Sequence, residues 1–410
     1  MLIATGLVLL MTPALGFFYG GMVRRKSALN TMMMSFASLG CVGLAWAFLS
    51  YSFAFAPSGT LGVMGGFGYA FLRGVGLEAR GTIPHLLFMA YQGTFAIITA
   101  ALISGSIVER VRFGPYVAFI TTWSIVVYAP VAHWVWAPDG WLGRLGALDF
   151  AGGTVVHINA AAAALVLAFA VGARKDYARQ ALLPHNVPFT LLGTGILWFG
   201  WFGFNGGSAL AANGSAVLAM VNTMFAPMAT LVVWWLLDVR RTGRATAIGM
   251  ATGIVVGLVA ITPAAGFVSP MSAIAIGAIA ALPSYYALVF RARTRLDDSL
   301  DVVGAHGVGG VTGALLTGVF AEAKWSGGAN GALFGHVGQL GIQAAAVAAT
   351  IAYSVAATYV IVLIMRAVAP LRASPGDEGV GLDVTQHGEE AYSDGEGAIL
   401  VVGDRRRQPR

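Results

Sequence analysis

The sequence predicts an all-α integral membrane protein, and its composition, its apolar runs and the placement of its charges each indicate this. Of its 410 residues, 57% are hydrophobic and only 10% are charged, and the mean hydropathy is +0.76. Soluble globular domains carry about 25% charged residues. Because a helix needs about 20 mostly apolar residues to cross a bilayer, most of this chain is expected to lie in lipid.

Eleven segments have the length and composition of a membrane-spanning helix. The first lacks a basic region before it and a small-residue cleavage site, so we interpret it as a span and not as a signal peptide. The spans are predicted near residues 2–22, 30–55, 84–107, 113–136, 151–172, 187–208, 215–237, 246–264, 268–290, 302–320 and 341–367. They form a transmembrane domain over residues 1–370, and residues 371–410 follow as a polar tail.

The basic residues indicate how the chain is oriented. Twenty of the 24 Lys and Arg residues fall on one side of the predicted spans, and the other side has only Arg73, Arg80, Arg144 and Lys324. Since cytoplasmic loops carry the excess of basic residues, we expect the N-terminus outside and the tail in the cytoplasm. This topology accounts for the net charge of +6 without nucleic acid as a partner. The sequence leaves the role of the final DRRRQPR open, and attraction to anionic lipid headgroups is the plain alternative.

Two similar segments indicate an internal repeat. GFFYGG at 16–21 and GWFGFNGG at 200–207 each lie four predicted helices ahead of a span that carries a histidine, His157 or His306. Five helices is an odd number, so the second unit would cross the membrane in the opposite direction to the first, and inverted repeats place functional sites near the midplane. The predicted extents are about 1–175 and about 184–320 for the two units and 341–367 for a final helix.

His157 and His306 are the strongest candidate functional residues. Ionisable side chains within a membrane are costly and usually face a pathway or the bundle interior. An imidazole pair could bind a small polar molecule or relay a proton. No metal site is predicted, because no third Cys, Asp or Glu ligand lies at a suitable spacing. No cofactor and no enzyme activity are predicted either, because nucleotide-binding and hydrolase motifs do not occur in a credible context.

Acidic and aromatic residues near the two histidine-bearing spans are further candidates. Asp149 and Asp301 precede these spans, and both are expected to cap them. The aromatic segments YQGTF at 91–95 and WFGF at 201–204 lie within or near the ends of spans. Aromatic faces bind small ammonium-like cations, and large rings can close a narrow path to water.

These segments closely resemble the ammonium transporter family, in particular its prokaryotic Amt branch. The family also includes fungal Mep and animal Rhesus proteins. The stretches that carry the resemblance are FFYGGMVRRKS (17–27), YQGTFAIITAALISGSIVERVRFG (91–114), LDFAGGTVVHINA (148–160), PHNVPF (184–189), GWFGFNGGSA (200–209) and DVVGAHGVGG (301–310). The resemblance implies an eleven-helix protomer of a homotrimer in the cell membrane, with one pore through each protomer, that takes ammonium or ammonia into the cell.

The resemblance also implies roles for individual residues. It makes His157 and His306 the twin histidines of the pore, Phe95 and Phe204 the gate, and Trp136, Ser208, Phe95 and Tyr91 the outer recruitment site for ammonium. Trp201 matches a pore-side tryptophan, and Asp149 matches an aspartate that supports the recruitment site without contacting the ion. Tyr91 departs from the phenylalanine of a bacterial relative, and the added hydroxyl at the vestibule could alter affinity or ion discrimination in either direction.

The tail segment EGVGLDVTQHGEEAY at 378–392 resembles the cytoplasmic regulatory segment of bacterial Amt proteins. This implies the nitrogen-regulatory PII protein as a partner, with Gly381, Leu382 and Asp383 as the candidate regulatory residues.

Two alternatives to transport stay open. One is an ammonium sensor that signals through the tail, although the tail of about 40 residues is short for an appended signalling domain. The other is a Rhesus-like channel for ammonia or carbon dioxide, which the pair Trp136 and Ser208 disfavours. The sequence leaves open whether transport is electrogenic.

Overall fold

The computed structural model describes residues 1–58 and 62–392. In these residues, ten helices are long and apolar enough to cross a membrane, which confirms a mostly helical, multi-pass membrane protein. An eleventh apolar helix, Ala247–Ile261, is shorter at 15 residues, so the count of eleven spans and the orientation of the termini stay predictions. In chain order the helices are α1 (Leu2–Met22), α2 (Arg25–Phe55), α3 (His85–Ser106), α4 (Phe113–Leu145), α5 (Gly153–Val171), α6 (Val187–Gly207), α7 (Gly214–Thr242), α8 (Ala247–Ile261), α9 (Pro270–Arg291), α10 (Val303–Phe320) and α11 (Gly338–Val368).

The helix boundaries lie within a few residues of the predicted ones. The main differences are that α7 continues to Thr242 and that α4 is interrupted after Trp136. Two short strands, β1 (Ala79–Arg80) and β2 (Ile83–Pro84), pair antiparallel in the connection before α3. The predicted basic segment DRRRQPR lies outside the described residues.

Helices α1 and α6, which begin the two predicted repeat units, pack along each other at very short range. A Cβ atom at Gly193 of α6 would lie 2.4 Å from the backbone nitrogen of Phe18 in α1. Two turns of helix further on, a Cβ atom at Gly200 would lie 2.3 Å from Cγ of Met11. Small residues at a helix interface allow backbones to approach closely within a membrane. The glycines of α6 therefore set the distance between these two helices.

The segments that begin α5 and α10 have the same local geometry. Each begins with a π-helical turn, Gly153–Ile158 in α5 and Val303–Val308 in α10, and this turn carries the candidate histidine. Each turn follows closely on a residue in the left-handed region, with φ of 111° at Gly152 and 58° at Asp301. These shared features support the internal repeat at the level of single residues.

The expectation that Asp301 caps α10 is wrong. Its Oδ1 binds the guanidinium of Arg291, at 2.9 Å from Nε and 2.6 Å from Nη2. The carboxylate that accepts from the start of α10 is that of Asp298, whose Oδ2 lies 2.7 Å from the N–H of Val303. Asp301 cannot take this position, because it occupies the left-handed position that Gly152 occupies before α5. Burial raises the pKa of Asp298 to about 7, and the nearby Asp301 carboxylate adds to the rise.

A buried ionic network connects the loops on the predicted cytoplasmic side. Glu109 accepts from Arg24 at 2.9 Å and from Arg174 at 2.6 Å, and Arg174 also binds Asp297 at 2.9 Å. Burial by itself would raise the pKa of Glu109, but the two guanidinium groups outweigh it and hold that pKa below its usual value. The connections before α2, α4, α6 and α10 are thus tied together by charge.

The described part of the tail packs against the same side. Arg372 forms an isolated β-bridge with Val111, at the start of α4. The carboxylate of Asp383 accepts from the backbone N–H groups of Leu29 and Asn30 at 3.0 and 2.6 Å. These two residues lie in the first α-helical turn of α2, which follows a 3₁₀ turn over Arg25–Ser27. Such a carboxylate satisfies helix N–H groups that have no partner within the helix. Residues 371–392 are therefore an ordered layer under the helices, contrary to the flexible tail that their composition suggests.

Candidate functional site

The two candidate histidines meet in the interior. Nδ1 of His157 lies 3.2 Å from Nδ1 of His306, and the rings stack with their centroids 5.3 Å apart. Only 2% of His157 and 3% of His306 is exposed. The structure thus brings these two side chains, from the starts of α5 and α10, into direct contact.

The contact between the two Nδ1 atoms fixes opposite roles for the two Nε2 atoms. A neutral imidazole has one donor and one acceptor nitrogen, so the ring that donates its Nδ1 proton must have an acceptor at Nε2. The other ring accepts at Nδ1 and therefore carries its proton at Nε2. Among the described residues, Nε2 of His157 has no hydrogen-bond partner. The pair can thus accept a proton or an N–H group at one end and donate at the other.

The histidines border two cavities. A small cavity of about 10 Å³ is lined by the pair together with apolar side chains such as Leu15, Ile98 and Val255. This is room for about one water-sized molecule. His306 also borders a cavity of about 330 Å³ on the predicted cytoplasmic side, whose lining includes Arg174, Arg291 and Asp301. A polar pair thus lies between an apolar passage and a charged vestibule.

Two phenylalanine rings close the passage on the other side. Phe95 of α3 and Phe204 of α6 are stacked with centroids 4.1 Å apart and an interplanar angle of 27°. Each is 1% exposed. The Phe204 ring lies 6.2 Å from the ring of His157, so the rings lie directly above the histidine pair.

The predicted outer residues lie beyond these two rings. Trp136 lies edge-on to Phe95, with centroids 5.9 Å apart, and its Nε1 donates to the backbone carbonyl of Asp149 at 2.9 Å. The half-buried Ser208 donates its hydroxyl to the carbonyl of Phe204 at 2.8 Å. Tyr91 packs against Phe95 at 5.0 Å. The four residues of the predicted recruitment site therefore form one cluster.

Asp149 supports this cluster through the backbone, as expected for a capping residue. Its Oδ1 accepts from the N–H groups of Gly152 and Gly153 at 2.8 and 2.7 Å, and its Oδ2 accepts from Thr154 and Val155 at 2.9 and 3.1 Å. With four charge-assisted bonds, the carboxylate fixes the turn that carries His157. Because its own carbonyl holds Trp136, one residue positions both groups.

Trp201 lies beside the histidine pair. Its ring stacks on His157 with centroids 5.4 Å apart. Its Nε1 donates to the hydroxyl of Thr262 at 2.9 Å, which the sequence did not indicate. The sequence reasoning also missed Asp298, although the spacing of eight residues from Asp149 to His157 recurs from Asp298 to His306. Comparing the two spacings would have identified it.

The tail residues lie away from this passage. Gly381 has φ of 124°, and a Cβ atom there would lie 2.4 Å from the carbonyl oxygen of Lys26. Leu382 is fully buried, and Asp383 is the residue that caps α2. Gly381 and Asp383 therefore attach the tail to the N-terminal part of α2.

A family model described as Ammonium Transporter Family matches residues 1–392. The chain belongs to the ammonium transporter family. An Ammonium transporter of Bacillus subtilis (strain 168) is 47% identical over 394 residues, which is 95% of this chain and 96% of that protein. The crystal structure of Saccharomyces cerevisiae Mep2 superposes with a TM-score of 0.84 at 35% identity, covering 91% of this chain and 89% of that one.

The ammonium transporter family also includes a similar structure with a different stated role. A structure titled Sensor Amt Protein superposes with a TM-score of 0.87 at 32% identity and covers 94% of this chain and 96% of that one. Fold similarity alone therefore does not separate a transporter from a sensor. That distinction depends on what the residues of this passage do.

Proposed function

We propose that the protein transports ammonium across the cell membrane as ammonia through the passage between Phe95 and the histidine pair. The observation that carries the proposal is the continuous series from Trp136 through the two stacked phenylalanines to His157 and His306. Relatives named Ammonium transporter at 47% and 49% identity support the choice of substrate.

The recruitment step takes place at Trp136, Phe95 and Ser208. The aromatic faces attract the ammonium cation, and the hydroxyl oxygen of Ser208 accepts one of its N–H groups. Potassium has no N–H donor and lacks this second interaction. Asp149 holds the site from behind through the backbone, and no contact with the ion is assigned to it.

Ammonium gives up its proton near the gate, and that proton either returns to water on the outer side or follows along the histidine pair. An ion that crosses an apolar passage bears a large desolvation cost, and the cavity below the gate has mainly apolar walls. Neutral ammonia then passes the histidine pair, whose Nε2 atoms offer one acceptor and one donor. Trp201 keeps the ring of His157 in place by stacking.

The test is transport in proteoliposomes with the double variant His157→Ala, His306→Ala. We expect ammonium uptake or its selectivity to be lost, and His336→Ala, at an exposed loop position, to behave as the wild type. Undiminished, ammonium-selective transport in the double variant would contradict the central role of the pair. Current recorded after an ammonium pulse on the same preparation distinguishes electrogenic from electroneutral transport, since only the first gives a current.

We also propose the assembly and topology that the family resemblance implies. These are a homotrimer of eleven-span protomers, an outer N-terminus, and a cytoplasmic tail that binds the PII nitrogen-regulatory protein near Gly381, Leu382 and Asp383. Mass measurement of the detergent-purified protein tests the trimer. Protease added to right-side-out and inverted vesicles tests the side of the tail, because only inverted vesicles should lose it.

An ammonium sensor is the second candidate, and the similarity to the structure titled Sensor Amt Protein favours it. Expression in a strain that lacks its other ammonium transporters separates the two. Restored growth on low ammonium supports transport, and failure to grow despite correct membrane insertion supports the sensor.

A further inference from the structure

The hydroxyl of Tyr91 does not lie free in the outer vestibule. Tyr91 is 0% exposed, and its hydroxyl lies 2.8 Å from the carbonyl oxygen of Phe204 and 3.0 Å from that of Gly203. The last four carbonyls of a helix have no partner within the helix, and the carbonyl of Phe204 is one of these in α6. The hydroxyl therefore donates a hydrogen bond at the C-terminal end of α6, the helix that carries Phe204.

The same hydroxyl contacts Ser208. The two side-chain oxygens lie 3.3 Å apart, and the Ser208 hydroxyl also lies 2.8 Å from the carbonyl of Phe204. Ser208 has one proton to donate, and both of these acceptors lie behind it in the protein. Its lone pairs are consequently left to face the vestibule, where the proposed ligand carries only N–H donors.

Tyr91 also contacts both gate residues, Phe95 through its ring and Phe204 through its hydroxyl. It precedes Phe95 by one helical turn in α3, and it bonds the backbone of Phe204 in α6. The space is tight, because a Cβ atom at Gly207 would lie 2.7 Å from the Tyr91 hydroxyl. The hydroxyl thus joins the two helices at the level of the recruitment site.

We propose that the Tyr91 hydroxyl is a positioning group that orients Ser208 as a hydrogen-bond acceptor for ammonium, so that Tyr91 raises the affinity of the recruitment site. The proposal rests on the proposed function, since it assigns the ligand of that site. It also predicts the direction in which the Tyr91 hydroxyl changes the affinity for ammonium, which the sequence left open. Ser208 shares its one proton between the Phe204 carbonyl and the Tyr91 oxygen, and Tyr91 donates its own proton to a carbonyl. Each donated bond makes the donating oxygen a better acceptor.

The variant Tyr91→Phe removes only the hydroxyl and keeps the ring beside Phe95. We expect KM for ammonium to rise about two- to tenfold, the effect of losing one net hydrogen bond, with kcat changed less than twofold. The matched control is Tyr116→Phe, because Tyr116 is also buried and donates to a backbone carbonyl, that of Met34 at 3.1 Å, without contacting the site. Its KM should equal that of the wild type.

A double-mutant cycle with Ser208→Ala separates positioning from plain helix capping. If Tyr91 acts through Ser208, the effect of Tyr91→Phe on KM should nearly vanish in the Ser208→Ala background, because coupled residues are not additive. Equal effects in both backgrounds, or an unchanged KM in Tyr91→Phe, would overturn the inference.

Thermal stabilisation of the detergent-purified protein by ammonium chloride, with sodium chloride as control, provides a readout that does not need flux. Binding to the folded state raises stability in proportion to the logarithm of ligand over Kd. If the wild type binds ammonium but does not transport it, the proposed function is contradicted. The double-mutant cycle can then still be measured through Kd for ammonium in place of KM. Transport by the wild type with no weaker binding in Tyr91→Phe would contradict only the role of Tyr91.

Discussion

Replacing Asp149 tests how the carboxylate holds the start of α5. In the wild type its two oxygens accept four N–H groups at 2.7 to 3.1 Å. Asp149→Asn keeps one carbonyl oxygen and turns an NH2 group towards the other two donors, so two of the four bonds are lost. At about 1.5–3 kcal/mol for a hydrogen bond to a charged group, the loss is about 3–6 kcal/mol. Asp149→Ala loses all four and should cost more.

The assay is thermal and denaturant unfolding in detergent, paired with ammonium uptake in proteoliposomes. We expect stability and uptake to fall in the order wild type, Asp149→Asn, Asp149→Ala. Asp176→Asn is the control, because its ion pair with Arg24 is partly exposed and such pairs contribute about 0–1 kcal/mol. If Asp149→Ala unfolds like the wild type, or if the two variants are equally damaged, the capping argument is refuted.

Three further changes test the charges on the predicted cytoplasmic side, all by unfolding in detergent except where stated. Arg174→Ala leaves Glu109 and Asp297 buried without their shared partner and should lower the free energy of unfolding by about 3–5 kcal/mol. The pKa values of both carboxyls are held low in the wild type, so the stability difference between wild type and variant should shrink in acid as these groups take up protons. A stability difference that does not depend on pH would contradict this. The pKa of Asp298 is raised to about 7, so between its unfolded value of about 3.9 and about 7 the folded state holds an extra proton, and the wild type loses stability as pH rises. The stability of Asp298→Asn relative to the wild type should therefore increase by up to about 1.4 kcal/mol per pH unit in that range. A stability difference that stays constant with pH would exclude the raised pKa. Asp383→Asn can accept only one of the two N–H groups at the start of α2, so limited proteolysis should cleave the tail faster, and an unchanged cleavage rate would argue against this attachment.

The sequence predicts those features of the fold that depend on composition and on the spacing of residues along the chain. Long apolar runs determine the helices, because a helix satisfies its backbone hydrogen bonds within one segment in lipid, and ten predicted spans appear close to their expected positions. The meeting of His157 and His306 follows from spacing within the two units. The roles given to Phe95, Trp136 and Ser208 depended on the family resemblance, since isolated aromatics in a membrane protein are more often interfacial.

What the sequence did not reveal depends on single backbone conformations. The segment DDSLD at 297–301 offers three acids for one capping position, and nothing local distinguishes them. The left-handed conformation at Asp301 removes that residue from the cap and gives the position to Asp298. The direction of the Tyr91 hydroxyl was equally hidden, because it is set by the end of α6, more than a hundred residues away.

The two histidine turns are alike in geometry but differ in how firmly they are held. Both oxygens of Asp149 are fully used by backbone N–H groups, whereas Oδ1 of Asp298 has no partner among the described residues. Before α5 the left-handed residue is Gly152, for which that conformation costs little; before α10 it is Asp301, held by Arg291. The same turn therefore occurs twice: the copy before α5 is held by the Asp149 carboxylate, and the copy before α10 is held by one oxygen of Asp298 and by the ion pair of Asp301 with Arg291. That ion pair and His306 line the same cavity on the predicted cytoplasmic side, and His157 is not among the residues that line it.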